Sequence, residues 1–425
     1  MQEKRKPIKR NGKKPSKKLN IKKSRVYDKD KKTSINQVLN DFKASGMTLL
    51  KSNNKKRFGR VKVIVAIAVI IIVSVAVLIT SNAPTGIVEY ISSKVAMSKS
   101  GESFPVSYDF SNGGNITYSN GSIIVTTENE IKCINKTGNL IYSRSHGFAT
   151  PIIKTSKIRT LIYGVDDSRY KIETAEKEVF NKKTQDNSTI VTADISNCGV
   201  YALVTESDED ISLVTVYDKF GKEIYKYHSA NNYVIGVTVS ENGKRICVIS
   251  LSTKQAEFVS KISVFSLNKT EPIFEEELVG EVVLAAEYTN SKNVCVITDK
   301  QYFNLKNNKI TKNLTYNPEF LNKFEISDDY ILLYNTADSN SVSGTVHILS
   351  KSGRERAQFT VEGNVSDISA CNGSVYTLGE KVTEYNFKGD KIKSTDINNG
   401  AIKICAAPKG VMVLYSSGVD FIKEG

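Results

Sequence analysis

From Val63 to Ile79 the chain runs for seventeen residues in which Ser74 is the only polar side chain and Ile70 lies near the centre. At about 1.5 Å per residue, a helix of that length covers most of a hydrocarbon core about 30 Å thick. Val61 and Thr80 extend the run, and Lys62 can snorkel to the interface. The pattern predicts a transmembrane helix over 61–80, because a buried core segment would be shorter and less uniformly apolar. Upstream, only 34–42 shows an apolar period: Ile35, Val38, Leu39 and Phe42 fall at i, i+3, i+4 and i+7 behind Ser34. So short a helix is marginal in water and is expected to form only when docked on a partner. Downstream, the stretch from Pro84 to Gly101 predicts a short stalk helix over 81–101. From residue 102 onward the pattern changes to brief β-branched and aromatic runs broken by Gly, Asn, Asp and Ser, which predicts many short strands.

Two turn patterns recur among those runs. One follows a strand as a polar residue, two spacers and Gly, as in Asn135-Lys-Thr-Gly138, Asp218-Lys-Phe-Gly221, Ser350-Lys-Ser-Gly353 and Asn386-Phe-Lys-Gly389. The other precedes a strand, as in Ile195-Ser-Asn-Cys-Gly199 and Val239-Ser-Glu-Asn-Gly243, and one residue longer in Ile368-Ser-Ala-Cys-Asn-Gly373. First strands near Ile116, Thr150, Val191, Ile235, Leu284, Phe324, Val365 and Ile402 mark eight quasi-repeats, spaced 34 to 49 residues apart. Four strands at that period predict an all-β, eight-bladed β-propeller over 102–425. Seven blades is the alternative, because units two and five are irregular, and a pair of β-sandwiches is the competing all-β arrangement. The last unit shows only three strands, so Phe104-Pro-Val-Ser-Tyr-Asp-Phe110 is expected to supply its fourth and close the ring.

The segment Val237-Thr-Val-Ser-Glu-Asn-Gly-Lys-Arg-Ile-Cys-Val-Ile-Ser with Ser263-Val-Phe-Ser-Leu resembles the repeats of YVTN, WD40-like and quinoprotein-like propellers. The wider layout of basic tail, span, stalk and Gly101-Glu-Ser-Phe-Pro-Val resembles the DUF5711 family of Gram-positive bacterial membrane proteins. That likeness covers 61–425 and rests mainly on structural turns. It implies a membrane-attached propeller and carries no activity with it.

Charge fixes the expected orientation. The formal net charge is +14, yet residues 1–60 hold 21 Lys/Arg against Glu3, Asp28, Asp30 and Asp41, a net of +17, and the remainder is −3. A uniformly basic, nucleic-acid-coating protein is therefore excluded, and nucleic acid remains a partner only for the tail. The tail is too polar to fold by itself and is expected to be a disordered cytoplasmic segment whose charge fixes orientation, with contact to anionic lipid headgroups as the functional alternative. Lys55, Lys56, Arg57, Arg60 and Lys62 flank the span on its N-terminal side, so the positive-inside rule leaves 81–425 outside the cytoplasm of a bacterial cell. Ser81-Asn82-Ala83 faintly resembles a cleavage site, but the long basic region and Pro84 oppose cleavage and favour an uncleaved signal anchor.

Candidate chemistry is sparse. Quinoprotein dehydrogenases set their cofactor against Trp with calcium, and sialidase Asp-boxes end in Trp; this chain has no Trp. A propeller-capped serine peptidase requires a Gly-x-Ser-x-Gly turn, which is missing from the sequence. Neither the three His nor the six Cys shows metal-site spacing, so no metal, cofactor or catalytic residue is expected. Cys133, Cys247, Cys295 and Cys405 fall in strands and are expected to fill the core, while Cys198 and Cys371 lie in Gly turns of distant blades and cannot bridge. The second-to-third strand connections are longer and polar in units three, four and six: Thr205–Asp210, Thr253–Phe258 and Thr336–Ser343. These predict a partner face carrying Asp208, Glu209, Asp210, Lys254, Gln255, Asp338 and Asn340, with His146 and His228 beside it. The expected role is an interaction scaffold or sensor platform for another envelope protein. An envelope polysaccharide-binding module or an enzyme using the channel is the alternative, disfavoured by the lack of Trp.

Overall fold

A computed structural model of the chain describes Val65, 67–69, Val95, 104–107, 115–119, 122–175, 177–316, 319–327, 329–338 and 340–425. The chain divides into two units, Met1–Ala83 and Pro84–Gly425. In the first, Val65, Ile67, Ala68 and Val69 are helical and exposed. The span residues Val63, Ile70, Ser74 and Ile79, and the tail over 1–60, lie outside the described residues, as does the expected stalk apart from helical Val95. No helix among the described residues is long and apolar enough to cross a membrane.

In the second unit the strands form eight four-stranded antiparallel sheets, seven of them in simple sequential order. Blades 1 to 7 span 115–145, 151–183, 190–229, 233–279, 283–315, 320–362 and 367–396. Blade 8 takes Ala401–Ala407, Gly410–Tyr415 and Gly418–Lys423, and its fourth strand is Val106–Ser107 from the start of the domain. Val106 pairs with Val419 and Ser107 with Gly418, and Phe104 stacks on Phe421 at 5.6 Å. The expected closure is thus present, although it is only two residues long. Units two and five, irregular in sequence, are complete blades, and the ring has eight.

Parity along the strands explains why it closes. The second strand of each blade is buried on both sides, and its alternate residues face opposite neighbours. In blade 4, Ile246 and Val248 join the cluster shared with blade 3, while Cys247 and Ile249 join the one shared with blade 5. Eight such clusters fill the eight interfaces, the last uniting Ile123 and Val125 of blade 1 with Met412 and Leu414 of blade 8. Each blade buries its apolar surface only by having two neighbours.

The recurrent turns have a common mechanism. Asn135 Oδ1 accepts the N–H groups of Thr137 and Asn139 at 3.0 and 2.9 Å, and Asp218 Oδ1 accepts those of Phe220 and Lys222, both at 2.9 Å. Asn386 does the same for Lys388 and Asp390 at 2.8 and 3.0 Å. The polar first residue thus satisfies two backbone donors, and the Gly three positions later takes the positive φ that ends the turn, 83° at Gly138 and 78° at Gly221. Gly243 is constrained further, because a Cβ there would lie 2.6 Å from Val200 Cγ2 of the neighbouring blade.

Candidate functional site

The first strands neighbour one another around the ring and wall the central channel. Their inner edges have no further strand to pair with, and side chains of the adjoining blade take up backbone N–H groups instead. Asp194 Oδ2 accepts the Val239 N–H at 2.7 Å, Glu325 Oε2 that of Ala370 at 3.0 Å, and Asp367 Oδ2 that of Ile404 at 2.9 Å. Ser369 bridges three blades: its hydroxyl donates to Glu325 Oε1 at 2.7 Å and its Oγ accepts the Ala406 N–H at 2.8 Å. These polar groups of the channel wall act as latches between blades.

Their ionisation follows from that position. Desolvation pushes the Glu325 carboxyl up to about 7 against the bonds from Ser369 and Ala370, with Asp367 adding to the rise and Lys403 opposing it. Asp367 is likewise raised by desolvation, opposed by the Ile404 N–H and Lys403. Burial would lower Lys154, but Asp194 and Glu287 outweigh it and hold the ammonium charged. The core thiols go the other way: burial lifts Cys133 to about 11 and Cys247 and Cys295 to about 12, which leaves them as protonated hydrophobes. All six cysteines are free; Cys198 is exposed in its turn, whereas Cys371 ends a strand rather than lying in the turn expected for it. Among the described residues no group of three or more His, Cys, Asp or Glu is placed to hold a metal ion.

The predicted partner-face residues separate into three groups. His146 belongs to the interior: it is 1% exposed, its Nδ1 accepts the Phe148 N–H at 3.1 Å, and its Nε2 therefore donates to the Thr127 carbonyl at 3.0 Å. With both ring nitrogens engaged, it pins the blade 1 to blade 2 connection and offers nothing to a partner. Thr253–Phe258 is not a loop. Strands Arg245–Lys254 and Glu257–Ser266 continue through it and meet in a two-residue turn, Gln255-Ala256, with φ of 53° and 67°. Lys254 and Gln255 thereby sit at the tip of a projecting hairpin. The remaining residues occupy ordered loops, apart from His228 near the end of strand Glu223–Ser229. Ser207 Oγ accepts the N–H groups of Glu209 and Asp210, and Asp210 Oδ2 meets His228 Nδ1 at 2.6 Å, with Asp208 in the same turn. Asp338 Oδ1 accepts the Asn340 N–H at 2.8 Å and the Asp338 N–H donates to Ser341 Oγ.

Two features of this face were not foreseen. Large apolar side chains stand exposed along it, with Tyr233 and Phe320 at 66% and 62% opening the first strands of blades 4 and 6, and Phe258 at 55% beside the hairpin tip. A bulged residue recurs in the first strands of five blades, at Val191, Ile235, Leu284, Asn322 and Ile402, where the register skips one position. The second feature is charge. Among the described residues, connections from second to third strands and from blade to blade open on one side of the ring and hold twelve Asp/Glu against Lys300 alone. Turns from first to second and from third to fourth strands open on the other side and hold, among the described residues, fourteen Lys/Arg against five Asp/Glu. We call these the loop face and the turn face. The sequence carries this partition openly, but it becomes visible only when strand ends assign each turn to a side.

Comparison with known proteins places this architecture. A profile for a family of unknown function, DUF5711, matches residues 106–423. The chain belongs to that family. Among solved structures it is similar to BamB from Moraxella catarrhalis at 9% identity and a TM-score of 0.50, covering 76% of this chain and 99% of that one. It is similar also to Sqt1 of Saccharomyces cerevisiae at 12% identity and a TM-score of 0.52, covering 77% of this chain and all of that one. A quinohemoprotein alcohol dehydrogenase from Pseudomonas putida matches at 10% identity and a TM-score of 0.49, covering 74% of this chain and 72% of that one. At these identities the likeness to BamB and Sqt1 shows, for the DUF5711 chain, the fold alone.

Proposed function

We propose that the protein is a membrane-anchored scaffold or sensor platform of a bacterial, Gram-positive-type cell envelope, whose propeller presents its loop face to another envelope protein. The apolar run from Val63 to Ile79 and the +17 tail before it support a single pass with the N-terminus in the cytoplasm and the propeller outside. The observation that carries the interaction role is the loop face itself: ordered acidic turns at Asp208–Asp210 and Asp338 flank exposed aromatic side chains at Tyr233, Phe258 and Phe320. Apolar anchors within a polar, singly charged rim are what a protein partner with basic groups recognises. The reading is non-enzymatic. It assigns the channel carboxylates to blade latching and leaves the tail to anionic lipid, or to nucleic acid near the membrane.

In-cell crosslinking followed by mass spectrometry tests it. The variant D208A/E209A/D210A/D338A is expected to accumulate normally and to lose the crosslinked partner that the unaltered chain captures. An unchanged set of crosslinked proteins would sink the proposal.

A further inference from the structure

The turn face is the larger electrostatic feature that the scaffold role does not use. Lys136, Lys244, Lys269, Lys292 and Lys388 project exposed from tight turns of four different blades, and Lys219 lies half-buried in a fifth. The tight turns hold them to one side because their backbones are closed by side-chain and Gly geometry, so the charges form a ring rather than a mobile cluster. With net charges of +9 on one side and −11 on the other among the described residues, the propeller is polarised along its axis, while residues 61–425 as a whole sum only to −3.

A second, independent observation orients that axis. Val106–Ser107 runs antiparallel to Gly418–Lys423, which starts on the loop face and ends on the turn face. Phe104 accordingly stacks on Phe421, towards the turn-face end of that strand. The chain arriving from its N-terminal segments therefore enters the ring from the turn face. In the membrane-anchored reading, the chain thus reaches the ring from the side that bears the basic turns.

We infer that the turn face docks on a bilayer leaflet bearing anionic headgroups, so that the propeller rests on the membrane with its loop face outward. This rests on the membrane-anchored reading above. Each lysine near an anionic surface adds an electrostatic attraction that decays over the Debye length, about 8 Å at physiological salt. Several lysines in one plane engage together only when the ring lies flat. The same polarity repels the loop face from the headgroups and leaves it accessible to a partner.

The test uses the full chain in nanodiscs of phosphatidylcholine, with and without phosphatidylglycerol, and reads amine labelling of each lysine by mass spectrometry. Lys136, Lys219, Lys244, Lys269, Lys292 and Lys388 are expected to label several-fold more slowly in the anionic discs, with the protection lost at high salt. Lys254 and Lys300, on the loop face, are expected to label equally in both. In the variant K136E/K244E/K292E/K388E, protection of Lys219 and Lys269 should disappear while Lys254 labels as before, which reports an intact fold. Equal rates in the two kinds of disc, or protection of Lys254 and Lys300 instead, would overturn the docking and leave the anchored reading standing. Failure of the chain to co-elute with either disc would overturn both.

Discussion

Glu325 sits where blades 6, 7 and 8 approach the channel, and its carboxyl joins Ser369 and the Ala370 N–H in the face of Asp367, Lys403 and Cys405. Its native pKa, raised to about 7 from 4.5 by desolvation, favours the protonated form in the fold. Below about pH 4.5 the group is protonated in both states; between there and about 7 the unfolded chain releases the proton and the folded one keeps it. Stability from this group is thus fully present in acid and lost as pH rises, by roughly 3 kcal/mol at most. Asp367, also raised, adds in the same direction. Urea unfolding at about pH 5 and pH 7.5 should show E325Q gaining on the unaltered protein as pH rises. A constant difference between the two would refute the assignment. Neither the latch nor the shift was legible in the residue pattern, since Glu325 reads as one polar position in an alternating strand. His146 misled for the same reason: a polar residue just after a strand looks like surface until its two backbone partners are known.

At the scale of elements, the pattern of strands and Gly turns was legible because each turn needs a particular residue at a particular place. Where a turn takes positive φ without Gly, that signal is missing. Gln255-Ala256 closes the blade 4 hairpin with both central residues at positive φ, so Thr253–Phe258 reads as a polar loop and folds as strand and turn. The chain uses better residues for the same geometry elsewhere, with Asn307-Asn308 in blade 5 and Asn372-Gly373 in blade 7. The double substitution Q255N/A256G should therefore stabilise the domain by about 0.5–1 kcal/mol through relief of backbone strain. A rise in the urea midpoint with an unchanged slope checks this, and a fall would show that the tip is not a two-residue turn of that type.

The second unit is a ring of eight interfaces, and such a ring is only as firm as its closure. Blade count and closing segment were both readable from sequence, because repeat spacing and an unfinished last unit are one-dimensional facts. The polarity of the two faces was not, since it is a property of which turns share a side. The closure is short: two residue pairs, Val106 with Val419 and Ser107 with Gly418, supported by Phe104 on Phe421. Across the remaining seven interfaces the covalent chain itself carries the connection from blade to blade, whereas between blades 8 and 1 this clasp supplements the core cluster of Ile123, Val125, Met412 and Leu414. Local opening should therefore start there. The variant F104A/V106P removes the stacked ring and, through Pro, the strand geometry and the N–H at residue 106. Hydrogen exchange in Gly410–Tyr415 and Gly418–Lys423 should accelerate by more than an order of magnitude, about 1.4 kcal/mol or more of local stability, while blade 4 changes least. Equal acceleration around the ring would mean that the eight interfaces open together and that the clasp is not the weak point.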